Sequence, residues 1–102
     1  MLAKQPRLPP APQGLSQEAK RVWREVARQY EMDPTGWLLL RAGLEMWDSY
    51  VTARSELARA GAVTTTHPES GHVHAHPAAK VATDALRECR QVFRQLGLEP
   101  PE

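Results

Sequence analysis

The side chains with the most chemistry to offer in this sequence are four histidines and two rows of basic residues. His67, His72, His74 and His76 fall within one short stretch, and alternation along an extended chain would put His72, His74 and His76 on one face, with His67 across a turn. Imidazoles so arranged can ligate zinc, nickel or copper. A built zinc site, however, takes ligands from a rigid element and fixes them with outer hydrogen bonds, whereas this segment lies between helices and is loop-like in composition. A solvated His-rich loop is therefore the preferred reading, with no metal and no cofactor, and a small metal-responsive regulator is kept as an alternative.

The basic rows are Lys20, Arg21, Arg24 and Arg28, then Arg87, Arg90 and Arg94, each spaced by about one helical turn. Lys4 and Arg7 add charge to the N-terminal stretch. Such rows suit DNA phosphates, whose neutralisation releases counterions and makes binding weaken with salt. The competing reading is a solvated helix face. Glu18 and Glu25 lie within one turn of Arg21, and Glu25 within one turn of Arg28, so part of the first row is offset by surface pairs. The net charge of +1 excludes a polycation that coats nucleic acid indiscriminately; any basic surface must be local.

Nothing here resembles a catalytic constellation. There is no phosphate-binding glycine loop, no nucleophile elbow, and no pair of histidines one helical turn apart with a glutamate between. Ser16 is better used as a helix cap. Cys89 is the only cysteine, which excludes an intrachain disulfide and suits a reducing compartment, and it reads as a small buried hydrophobe. Trp23, Trp37 and Trp47 fall on apolar helical stripes, where large rings build a core more often than they stack on bases. The expectation is a protein that is not an enzyme.

A chain of 102 residues supports one small domain that is marginal alone, so self-association would help it. Residues 1–15 contain Pro6, Pro9, Pro10 and Pro12 and read as a flexible, basic arm. Ser16 then caps a helix over about 16–31, carrying Ala19, Val22, Trp23, Val26, Ala27 and Tyr30 at helical spacing. Asp33-Pro34 starts a second helix over about 34–60, with Gly61 as its stop. Its apolar residues form two neighbouring stripes, Trp37, Leu40, Leu44, Trp47 and Val51 beside Leu39, Met46, Tyr50, Ala53 and Leu57. That is more apolar surface than one neighbour can cover, and the first stripe with Leu39, Met46 and Tyr50 is the candidate subunit interface.

Residues 62–76 hold a β-branched run at Val63–Thr66, a turn signal at Pro68, Glu69, Ser70 and Gly71, and a second short stretch at Val73, which suggests a small hairpin or ordered loop. Pro77 opens the last helix, about 77–96, stopped by Gly97 and then by Pro100 and Pro101 of the tail over 100–102. The fold class is mainly α, a single helical domain over 16–99. No apolar run approaches the ~20 residues of a membrane span, and no signal peptide is evident, so no membrane contact is expected and the protein should stay in the cytoplasm of the cell that makes it.

Taken in order, these pieces resemble the small subunit of phage terminases. The proline-rich arm precedes Leu15-Ser16 and a helix containing Trp23; an aromatic helix runs through Trp47-Asp48-Ser49-Tyr50 to Gly61-Ala62-Val63. His76-Pro77-Ala78-Ala79 then opens a helix ending in Leu96-Gly97-Leu98-Glu99-Pro100, which looks like the family's histidine- or asparagine-proline motif and Leu-Gly-Leu-x-Pro terminus. The resemblance covers nearly the whole chain and rests on order and spacing together. It implies a ring-forming homo-oligomer that recognises the packaging start site on double-stranded viral DNA, from a phage or prophage, and delivers it to the large terminase subunit, which holds the ATPase and nuclease. This sequence departs from the pattern in ending just after Pro100, where relatives usually continue with a basic or helical tail, and the expected large-subunit contact lacks that segment.

The alternative from a different class is a helical protein-binding adaptor without DNA contact, in which the charged faces only solubilise the fold. Binding to DNA that falls with added salt separates the two.

Overall fold

The structure is a computed structural model and describes residues 9–60, 64–66 and 73–101. It is mainly α: α1 (Gln17–Gln29), α2 (Pro34–Ala60) and α3 (Pro77–Gln95), with the three-residue strands β1 (Thr64–Thr66) and β2 (Val73–Ala75) between α2 and α3. The two strands pair antiparallel with Thr64 opposite Ala75. Three rungs are too few to hold a hairpin by themselves. Gly61 and the turn expected at Pro68–Gly71 lie outside the described residues.

Helix α1 begins where Ser16 can cap it: the Ser16 Oγ accepts from the Ala19 N–H at 3.1 Å. The same hydroxyl donates to Asp48 Oδ1 at 2.6 Å, and the Ser16 N–H donates to Asp48 Oδ2 at 2.8 Å. One carboxylate on α2 thus holds the start of α1 and places a negative charge at the positive end of its dipole. The helix stops at Gln29, short of the expected Glu31, because Tyr30 is extended at φ −132°. A short link must reach Asp33, and the residue before a proline is kept out of the helical region. Asp33 then caps α2, its Oδ1 accepting from the Gly36 N–H at 2.7 Å.

With Ser16 at Asp48 and Trp23 tilted against Trp37 at 5.0 Å, α1 runs antiparallel to the first half of α2. The second half of the expected arm lies on the domain: Trp23 Nε1 donates to the Pro9 carbonyl at 2.9 Å, Ala11 packs on the core and Leu15 is buried. Trp23 and Trp47 are core residues and Trp37 packs beside them, the role expected of all three.

The main packing layer is α2 against α3. Leu40, Leu44, Cys89 and Phe93 are fully buried between them. Gly43 lets the helices approach: a Cβ there would lie 2.9 Å from Val92 Cγ1 and 3.1 Å from Phe93 Cε1. Further along, where α1 no longer covers them, the seam narrows to Ala53, Ala78 and Ala82. Burial pushes the Cys89 thiol up to about 11, slightly opposed by neighbouring Arg90, so near neutral pH it is protonated and a poor nucleophile.

Both ends of α3 are closed by the motif residues. Pro77 occupies the first turn, where its missing N–H costs nothing, and His76 Nδ1 accepts from the Ala78 N–H at 3.1 Å. An asparagine in that position would present an acceptor to the same N–H, a physical reason for either residue before the proline. At the other end Gly97 takes φ +73°, the Gly97 N–H bonds Arg94 O at 3.0 Å, and the Leu98 N–H bonds Phe93 O at 2.8 Å. This is a Schellman cap, and it folds Leu98 back into the core.

Candidate nucleic-acid interface

The core face of α3 is Ala78, Ala82, Ala85, Cys89 and Phe93, flanked by the half-buried Leu86 and Val92, and the side opposite is open to solvent. Arg87, Arg90 and Arg94 lie there, all exposed. They line one open groove of about 390 Å³ together with Thr83 and Gln91, and its apolar side is formed by Ala82, Leu86 and, from α2, Tyr50. Tyr50 is held by Trp47, with ring centroids 5.3 Å apart, and by Arg54, whose Nη1 donates to the phenol oxygen at 3.4 Å. The groove therefore has guanidinium groups and amide and hydroxyl donors along a partly apolar bed, and among the described residues no carboxylate lines it.

Lys80 belongs to the same row, although the charge pattern of the sequence did not single it out. Lys80, Arg87 and Arg94 follow at steps of seven, two helical turns each, so they share a stripe. That spacing is the signal that could have found it. The link between them is Asp84: its Oδ2 meets Lys80 Nζ at 3.2 Å and its Oδ1 meets Arg87 Nη1 at 3.7 Å. Arg94 has no ion-pair partner among the described residues.

On α1, Arg21, Arg24 and Arg28 are exposed and Lys20 is half-buried. Arg28 is paired with Glu25, which also accepts from Gln29 Nε2 at 3.3 Å, so the offset expected for that end of the row is present. No α1 residue lines the α3 groove; the two rows remain separate features. Lys4 and Arg7 lie outside the described residues.

Of the histidines, His67 and His72 lie outside the described residues, His74 stands in β2, and His76 is engaged as the α3 cap. Among the described residues no group of three or more His, Cys, Asp and Glu side chains is placed to hold a metal ion.

The candidate subunit interface on α2 needs correction. Leu40, Leu44 and Trp47 are buried within the chain itself, because α1 and α3 close over that stretch, and they are not available to a second subunit. Trp37, Leu39, Met46 and Tyr50 are half-buried or more open. Val51, one turn past the point where α1 begins, is 38% exposed, as the same stripe emerges from under α1. The sequence pattern alone does not reveal where a covering helix starts.

Among the described residues no helix is long and apolar enough to cross a membrane. No curated protein and no solved structure gives a match. A sequence model of the family described as "Phage terminase, small subunit" matches residues 16–102, the stretch that holds the Ser16 cap, the Asp48 anchor, the His76-Pro77 opening and the Leu-Gly-Leu cap. Because that match spans all three helices and most of the chain, the chain belongs to the phage terminase small subunit family, and its role lies in phage DNA packaging.

Proposed function

We propose that this chain is the non-catalytic subunit that binds double-stranded viral DNA at the packaging start site and presents it to the large ATPase and nuclease subunit. The observation that supports DNA contact is the α3 groove, where Arg87, Arg90 and Arg94 converge with Gln91 and Thr83, with Asp84 beside Arg87 but outside the lining. Guanidinium groups match phosphate oxygens two at a time and stay charged at any working pH. Lys20, Arg21 and Arg24 on α1, with Lys4 and Arg7, form a second tier; Arg28 contributes less because Glu25 already holds it.

The test is fluorescence anisotropy on a labelled duplex over a range of salt. The wild-type chain should bind with a steep salt dependence. Replacing Arg87, Arg90 and Arg94 together by alanine should reduce the salt slope by about 2–3 and weaken binding roughly 100-fold at moderate salt, since each phosphate contact contributes about 0.9 to the slope. A triple variant that is folded by circular dichroism and binds like wild type would remove α3 from the reading.

Self-association as a closed ring is part of the same proposal. Its support is apolar surface left on the outside, with Leu38 66%, Val81 51% and Val51 38% exposed. Light scattering behind a sizing column should return a discrete multiple of the 11.4 kDa chain; a monomer at all concentrations would sink it and shift weight to a protein-binding adaptor, which the same exposed valines would serve.

A further inference from the structure

We propose that Asp84 is a built-in competitor for the DNA phosphates at the α3 row and sets the strength of binding there, and that Lys80 is a fourth cation of that row. The inference rests on the DNA reading given above. Asp84 presents two oxygens to two cations one turn to either side, Lys80 at 3.2 Å and Arg87 at 3.7 Å. A phosphate offers the same anionic oxygens to the same pair, so carboxylate and phosphate exclude one another. All three side chains are well exposed, Lys80 at 81%, Arg87 at 62% and Asp84 at 46%, so the pairs are exchangeable and not fixed by burial. Arg94, two turns from Arg87 on the same stripe, has no ion-pair partner among the described residues and meets DNA without such competition. The row thus divides into a restrained half, Lys80 with Arg87, and an open end at Arg94.

The carboxylate also differs from a general negative charge in what it touches. Glu88, the other acid of α3, makes no ion pair among the described residues and lies off the groove. Removing Asp84 should therefore act through Lys80 and Arg87 and not merely through net charge.

Asp84→Asn, Lys80→Ala/Arg87→Ala and the triple combination, each checked for wild-type helical content, would be titrated into a labelled duplex of arbitrary sequence. Asp84→Asn is expected to bind roughly tenfold tighter, with a salt slope steeper by up to about two as both cations become available. In the Lys80→Ala/Arg87→Ala background the same substitution should change affinity less than about twofold, the signature of coupling between partners. Equal gains in both backgrounds would show a non-specific charge effect and overturn the inference, as would no gain in either. If Arg94→Ala weakens DNA binding while Asp84→Asn does nothing, only the inference falls; if the wild-type chain binds no DNA even at low salt, the DNA reading falls and takes the inference with it.

Discussion

Phe93→Ala should lower the stability of the chain by about 3–5 kcal/mol, read as a shift of the urea midpoint followed by circular dichroism. Phe93 is 1% exposed and is the largest of the fully buried side chains among the described residues, standing with Leu40, Leu44 and Cys89 where α2 and α3 meet. Removing the ring loses its transfer free energy and leaves a cavity that two helices, already fixed at close approach, cannot readily collapse around. A domain of this size typically has only about 5–15 kcal/mol in total, so the variant loses a large share of its stability. A loss below about 1 kcal/mol would mean that the α2–α3 seam is not the centre of the fold.

Gly43→Leu is expected to do comparable damage for the opposite reason. The first side-chain atom alone would sit 2.9 Å from Val92 Cγ1 and within 3.3 Å of two Phe93 ring atoms, and leucine adds three more carbons in that direction. Overpacking usually costs about 1–3 kcal/mol, and here the only escape is to part the helices that hold the core, so the upper end or beyond is expected. Gly43→Ala should cost less, because the better helix propensity of alanine offsets part of the contact. Gly14, where an added Cβ would meet nothing within 4 Å, is the control and should tolerate alanine with little change. The packing also couples Gly43 to Phe93: combining Gly43→Ala with Phe93→Leu should cost less than the sum of the single changes, since one makes the room that the other needs. Thermal melts of wild type, the two single variants and the double variant would read this, and strict additivity would contradict the packing described.

The helices were legible because their ends are chemically marked. Ser16, Asp33-Pro34, Pro77 and Gly97 each do locally what their residue types suggest, and local chemistry needs no knowledge of the rest of the chain. The long-range partners were not legible. Asp48 shares one polar stripe of α2 with Arg41, Glu45, Thr52, Ser55 and Arg59, yet it anchors the start of α1 from thirty-two residues away, and nothing in that spacing distinguishes it from Glu45 or Thr52. The apolar stripes of α2 showed how much surface needed cover, but not that α1 begins at Asp48, which buries Trp47 and leaves Val51 outside. On α3 the arginines stand out by charge and close spacing, whereas Lys80 lies a full two turns before Arg87 with Asp84 between them, and only the seven-residue step ties it to the row.

The Schellman cap at Gly97 fixes more than the end of a helix. It turns the chain inward at Leu98, so the row of cations ends at Arg94 and cannot be continued along the same axis by whatever follows. From Lys80 to Arg94 the rise is roughly 21 Å, the length of about six base pairs. A word of six letters recurs by chance about once in 4,000 positions, so one chain, reading every base along its span, would still meet many equivalents in a viral genome. On the DNA reading proposed above, finding a single starting point is in this sense a question of information, and one row of this length does not hold enough of it.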